Sequence, residues 1–239
     1  MGALKDSGVE WVHHYAPVHY LPFIARAQKL MCKPSLKNAG FPKSHLRSKS
    51  SSSDVARGFG EYAFLTLDPK PRILSAKLSA GFPHLAIAVP VNAIESSEYR
   101  LCRYNVAMTR YLRRDGKSGH EESESNGRYY CRHQIPIAKS EAEKRSLLEK
   151  HLHKTMIEVL ICGDLPLPDT TEVRCFSEPD LLLVKKVLRA SGAAWKHEEI
   201  SPPENYPRNA SYAKSVEQFI DEALENPSWR GNGLEFDRV

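Results

Sequence analysis

The sequence predicts an α+β domain, on three observations. Short apolar runs bounded by Gly or Pro are mixed with amphipathic stretches, without the regular alternation that a doubly wound sheet requires. The composition, 41% apolar and 26% charged over 239 residues, is that of a globular chain and excludes disorder throughout. No segment repeats another, which excludes solenoids and propellers. The chain, 1–239, is read as one domain.

The elements follow in order. Over 17–30, apolar Val18, Leu21, Ile24, Ala25 and Leu30 recur near helical spacing, and Pro17 suits a first-turn position. Residues 33–57 are rich in Ser, Lys, Pro and Gly, hold four consecutive serines and read as a long basic loop. Residues 62–67 and 85–91 are short, apolar and bounded by turn residues, as buried strands are. The run 115–127 has no apolar residue and reads as an exposed hairpin tip or a disordered insert. Over 140–153, Ser140 and Glu143 form a capping box, and Leu147, Leu148 and Leu152 line one side of a helix. Strands are expected at 157–162 and 172–176. From 177 onward the chain reads as a C-terminal helical extension, 177–239. One helix is capped by Ser177 and stopped at Gly192, and another spans about 212–224.

Charge is unevenly placed. The formal total of +5 comes from +6 over 1–57, +3 over 58–135 and −4 over 136–239. A basic front half is compatible with gripping a polyanion, and equally with a solvated surface. Five cysteines in no CxxC or zinc-finger spacing argue against a disulfide framework, and a reducing cytoplasm is the expected compartment. The start of the chain lacks the apolar run of a signal peptide and does not meet the N-myristoylation pattern. No stretch approaches the roughly 18 apolar residues of a membrane span.

The most informative residue is Glu158, a carboxylate inside the apolar run Ile157 to Cys162. Alternation sets Glu158, Leu160 and Cys162 on one face and Ile157, Val159 and Ile161 on the other. Glu158 therefore meets solvent at a sheet edge, where a charge blocks aggregation, or points into a cleft. The cluster His13, His14 and His19 has no metal spacing, and neither the His151/His153 pair nor Cys131/His133 makes a zinc site, so no metal is expected. In the basic loop, Lys43, His45, Arg47, Lys49 and Arg57 alternate with small polar residues. Arg forks onto phosphate oxygens in a pyrophosphate or a nucleic-acid backbone alike, and the same composition also suits a flexible tether. No Walker loop, GxGxxG turn, HExxH or GxSxG pattern occurs, which removes familiar kinases, Rossmann enzymes, zinc proteases and serine hydrolases.

The order of these pieces resembles the DarT family of NAD-dependent DNA ADP-ribosyltransferase toxins. VHHYAPVHYLPFI is similar to that family's Tyr-His-Ile-Thr-His segment running into Asn-Leu-Pro-x-Ile, with His14 at the histidine and Ala16 at the threonine. NAGFPKSHLRSK is similar to its Ile-Gly-Tyr-Pro stretch and basic cluster, with Arg47 nearest the functional arginine. EYAFLTLDPKPRIL follows its Asp-Tyr-Val-Pro-Phe-Tyr-Phe segment through Tyr62, and YNVAMTRYL its Asn-Ala-x-x-x-Thr-Arg-Phe segment through Arg110. MIEVLICGDLPL matches the strand bearing the catalytic glutamate, at Glu158. The likeness covers about 11–176. Ala16, Pro17 and Leu65-Thr66-Leu67 depart from the family's threonine, second histidine and aromatic run.

The resemblance implies an ADP-ribosyltransferase-like domain with a central, mostly antiparallel split sheet flanked by helices. It implies a mono-ADP-ribosyltransferase that consumes NAD and modifies a base in single-stranded DNA. Catalysis would rest on Glu158 and Arg47, with His14 on the nicotinamide ribose, and Ala16 and Tyr62 shaping the NAD pocket. Lys43, Lys49, Arg57 and Arg110 would contact nucleic acid. A monomer with an antitoxin that removes the mark is also implied. Two alternatives are an ADP-ribosyltransferase acting on RNA or protein, and a non-catalytic nucleic-acid-binding module.

Overall fold

The structure, a computed structural model, describes residues 2–41, 59–68, 83–103, 121–122, 129–130, 137–153, 157–202, 210–226 and 228. Its centre is an eight-stranded sheet. The strands are β1 (Trp11–Pro17), β3 (Tyr62–Thr66), β4 (His84–Pro90), β5 (Tyr99–Cys102), β8 (Ile137–Ala138), β9 (Glu158–Cys162), β11 (Glu172–Cys175) and β12 (Lys196–Glu199). They lie in the order β12-β11-β4-β1-β3-β9-β5-β8. Every neighbouring pair is antiparallel except β11 and β12. Two short ribbons stand apart. One joins β2 (Lys29–Leu30) to β10 (Leu165–Pro166), and the other joins β6 (Glu121–Glu122) to β7 (Tyr129–Tyr130). Of the polar insert 115–127 only Glu121 and Glu122 are described, and they pair with Tyr130 and Tyr129 beyond it.

The sheet is split down its middle. β1 and β4 pair along the full length of β1, whereas β1 and β3 share one register position, His13 opposite Thr66. On one side lie β12, β11, β4 and β1, and on the other β3, β9, β5 and β8. This is the α+β, mostly antiparallel split sheet expected. β4 is buried from His84 to Val89, as a continuous apolar run inside a sheet should be.

The larger core lies on the face carrying Val12, Ala16, Leu65, Ile87, Leu101, Val159 and Ile161, where α5 (Glu141–His151) and α6 (Glu178–Ser191) pack. The capping box of α5 is present. Glu143 N donates to Ser140 Oγ at 3.3 Å, and Ser140 N donates to Glu143 Oε2 at 2.9 Å. α6 starts where Ser177 Oγ accepts from Asp180 N at 3.3 Å. It stops at Gly192, whose φ of 70° is the left-handed conformation that glycine adopts without a Cβ clash.

Three expectations need correction. Pro17 ends β1 and starts no helix. A 3-10 turn over Val18–Tyr20 follows, then α2 (Leu21–Ala27) with Pro22 in its first turn, where a missing N–H costs nothing. The loop assigned to 33–57 begins instead with α3 (Lys33–Asn38), held by Asp164 at its root and by Leu36 and Phe41 packing toward Phe23 and Phe219. The remainder of that loop, from 42, lies outside the described residues until 59. The segment after 177 is not only helical, because β12 adds a parallel strand to β11. Parallel neighbours need a long crossover, and the 14-residue α6 supplies it.

The last helix, α7 (Ala210–Glu225), buries Val216, Phe219, Ile220 and Ala223. Phe219 meets His19 edge-on at 5.1 Å between ring centroids and Phe23 at 6.2 Å, which binds the helix to the segment after β1. Among the described residues no helix is long and apolar enough to cross a membrane.

Candidate active site

Register assembles the site from distant segments. Glu158 opens β9 and pairs with Thr66 on one side and Cys102 on the other, so it sits inside the sheet and not at its edge. Its residual exposure is 9%, which removes the reading of Glu158 as a solvent-facing edge charge. Directly opposed residues of antiparallel strands project to the same face. Cys102, Glu158, Thr66, His13 and Ala88 therefore form one row across five strands and both halves of the split. All five are buried.

His13 is the other ionisable member of the row's centre. It is 4% exposed, and its Nδ1 has no hydrogen-bond partner among the described residues. Burial pushes its pKa down, and the Arg174 guanidinium pushes it further, to about 4. The imidazole is thus neutral at physiological pH. Arg174 is itself held by Glu172 at 2.8 Å and Glu198 at 3.1 Å, with its guanidinium 5.5 Å from the centre of the Trp11 ring. Tyr15, two residues along the same face, has its phenol pushed far up by burial and then by Asp68, so it stays a neutral hydroxyl.

His14 lies on the opposite face at the point where β1 and β3 part. Its Nδ1 is 2.9 Å from the carbonyl of Phe64. A carbonyl only accepts, so Nδ1 carries the proton, and in the neutral ring Nε2 is the acceptor. The bond replaces the ladder that β3 would otherwise make here. Ala16 belongs to the main core at 3% exposure, on the face of β1 opposite the row, and pairs with Leu85 of β4.

Tyr62 starts β3, four residues from Thr66 and about 13 Å away at strand rise. It is 8% exposed, with Phe59 edge-on at 5.8 Å and Arg100 5.3 Å from its ring centre. Burial raises its pKa, while the Arg100 charge opposes the shift. The split thus runs between residues 14–17 and 62–65, with His13, Thr66 and Glu158 at its closed end. Arg47, Lys43, Lys49, Arg57 and Arg110 lie outside the described residues.

The sequence names Thr66 only as a departure from the family's aromatic run, gives Cys102 no site role, and separates His14 from His13 only through the resemblance. Adjacent strand residues face opposite ways, so that distinction needs the register. Asp164 was also missed. It follows Gly163, whose φ is 83°, and its carboxylate takes Lys29 Nζ at 2.9 Å and Cys32 N at 2.9 Å. Burial alone would raise its pKa, but these bonds and one from Ser35 outweigh it and hold the pKa at about 2. A cavity of about 350 Å³ lined by Glu172, Lys196, His197 and Glu198 lies at the outer edge formed by β11 and β12, away from the row's carboxylate. Among the described residues no three His, Cys, Asp or Glu side chains group as metal ligands.

No family model and no curated protein matches the chain. Its structure is similar to that of Thermus sp. 2.9 DarT in complex with ADP-ribosylated ssDNA, with a TM-score of 0.56 and 14% identity over 83% of this chain and 97% of that one. The same DarT in complex with NAD+ gives 0.54 at 14% identity over 83% and 98%, and in complex with carba-NAD+ 0.51 at 15% over 83% and 98%. At such identities the likeness establishes the fold, an ADP-ribosyltransferase-like one.

Proposed function

We propose that this chain is an NAD-dependent mono-ADP-ribosyltransferase whose acceptor is a base in single-stranded DNA, with Glu158 as its catalytic carboxylate. The observation that carries the reading is the placement of Glu158. It is a buried carboxylate in mid-sheet at the closed end of a split, in a fold that solved structures pair with NAD+ and ADP-ribosylated DNA.

The residues present fit an NAD molecule. The split offers His14 as an acceptor for a ribose hydroxyl, an unpartnered nitrogen on buried His13, and the Glu158 carboxylate two strands along the row, past Thr66. When bound, NAD supplies an ADP-ribosyl group joined to a good leaving group, nicotinamide. Glu158 stabilises the positive charge that develops as that bond breaks, because a carboxylate held in a dry site acts through a lower dielectric than water. His13, kept neutral, adds no opposing cation to the row. Tyr62 and the backbone at Ala16 bound the wide end of the split. Arg47 clamps phosphate, and Lys43, Lys49, Arg57 and Arg110 supply the strand-gripping charge that the basic front half carries. NAD and DNA as substrates make the cytoplasm the working compartment, and an enzyme that removes the mark is the partner such an activity calls for.

The test offers labelled NAD with single-stranded DNA, RNA or protein to the wild type and to Glu158→Gln. Mass-resolved transfer to DNA is expected, falling by about 100-fold or more in the variant. Thermal stabilisation by carba-NAD should remain. Transfer at the wild-type rate by Glu158→Gln overturns the assignment of Glu158, and labelling of RNA or protein alone overturns the DNA acceptor. No stabilisation by NAD or carba-NAD, with no transfer, points to the non-catalytic binding module.

A further inference from the structure

We infer that Thr66 is a positioning residue for Glu158, fixing the peptide from which the carboxylate projects and joining the two halves of the sheet beside it. This rests on the ADP-ribosyltransferase reading above. Three observations carry it. Thr66 supplies β3's half of the single register position that links β3 to β1, so the spacing between the half bearing His13 and the half bearing Glu158 is set at this residue. Thr66 is also the direct cross-strand neighbour of Glu158. Its hydroxyl donates to the carbonyl of Ile157 at 3.3 Å and accepts from Asp68 N at 3.1 Å.

The Ile157 carbonyl belongs to the peptide that ends on Glu158 N, so a donor there orients the first residue of β9. Leu67 N donates to the same oxygen at 3.1 Å. That backbone bond closes the ladder, while the hydroxyl adds a second donor and simultaneously caps the turn at Asp68. The hydroxyl is buried and engaged on both sides, so Thr66 acts through Glu158 and not on a substrate. The residue before Glu158 meets the ladder at its carbonyl, where Leu67 N and the Thr66 hydroxyl both donate. A side chain that anchors this entry peptide reinforces the ladder where β9 begins.

The experiment compares Thr66→Val, which keeps shape and removes the hydroxyl, with Thr66→Ser, which keeps the hydroxyl, in steady-state transfer assays and carba-NAD titrations. Thr66→Val should lose about 10- to 100-fold in kcat, the scale on which a displaced catalytic group costs rate. Its carba-NAD Kd and KM for NAD should stay within about threefold of wild type, and the pH profile of kcat should change because the glutamate's surroundings shift. Thr66→Ser should restore kcat to within about threefold. If Thr66→Val does not fold, Thr66→Ala is read by the same criteria, with Thr66→Ser as its rescue. Thr66→Val or Thr66→Ala at the wild-type rate, equal losses in kcat and carba-NAD binding, or Thr66→Ser as impaired as Thr66→Val each overturns the inference. A wild type that neither transfers ADP-ribose nor binds carba-NAD overturns the underlying reading, and this inference with it.

Discussion

Two buried ionisable groups should bend the stability of this protein with pH in opposite directions. His13 takes up a proton near 6.5 when unfolded and only near 4 when folded, because burial and then the Arg174 charge oppose the imidazolium. Between those values the unfolded chain binds more protons, so stability present above pH 6.5 is lost as pH falls through 4. At 1.36 kcal/mol per pH unit the interval is worth about 3 kcal/mol. Asp180 has the opposite sign. Burial, resisted by the Ser177 hydroxyl and aided by Glu199, raises its pKa from 3.8 to about 6. Here the folded state binds the proton first, so its contribution is full below 3.8 and lost as pH rises through 6, again by about 3 kcal/mol.

Wild-type stability should therefore change little between pH 4 and 6 on account of this pair, and single variants should expose each slope. Relative to wild type, His13→Gln should be about 3 kcal/mol more stable at pH 4 than at pH 7, whatever its constant offset from altered packing. Asp180→Asn should show the reverse, gaining at pH 7 against pH 4. Urea titrations followed by tryptophan fluorescence at pH 7, 6, 5 and 4 read both. Each group lies in its own setting, His13 near Arg174 in the row and Asp180 at the start of α6 beside Cys175 and Glu199, so the double variant should combine the two nearly additively. A difference between His13→Gln and wild type that stays flat across this range would refute the claim that the row holds a neutral, buried imidazole.

Two further outcomes follow from local geometry. Ser140→Ala removes the hydroxyl that caps α5 and should lower Tm by about 2 to 4 °C, with faster amide exchange confined to the first turn of that helix. Asp164→Asn removes a carboxylate held at about 2 by Lys29, Cys32 and Ser35, and should cost about 2 kcal/mol at pH 7. Because stability from a depressed carboxylate is present above its unfolded value and lost as pH falls, that deficit should shrink below pH 4. A deficit constant down to pH 2.5 in urea unfolding would assign the effect to packing.

What the sequence made legible were features that depend on neighbours in the chain. The capping box of Ser140 and Glu143, the Gly192 stop, and the apolar alternation around Glu158 all lie within a few residues, and each appears where expected. The features it hid depend on partners far along the chain. Nothing local tells His13 from His14, and only the pairing with Thr66 and Ala88 decides which face each takes. β12 was invisible for a different reason. Lys196, His197, Glu198 and Glu199 are all exposed, so an edge strand covered in charge shows no apolar period, although such charge is what protects an edge. α3 offers only Leu36 as an apolar contact, and its stability comes from Asp164, far along the chain.

Those long-range contacts converge on one strand. β9 begins at Glu158, whose entry peptide Thr66 holds, and ends at Cys162 before Gly163 turns the chain to Asp164. Asp164 then grips Cys32 N and Lys29, the root of α3, from which the chain runs into the basic segment beginning at 42. A five-residue strand is a stiff rod about 16 Å long, so the carboxylate at one end and the root of the basic segment at the other cannot move independently. The uneven charge of the sequence then acquires a mechanical sense. Of the +6 of residues 1–57, +3 falls on residues 1–41, which include the Lys29 and α3 root that Asp164 holds at the end of the rod opposite Glu158, and +3 on residues 42–57, which follow in sequence.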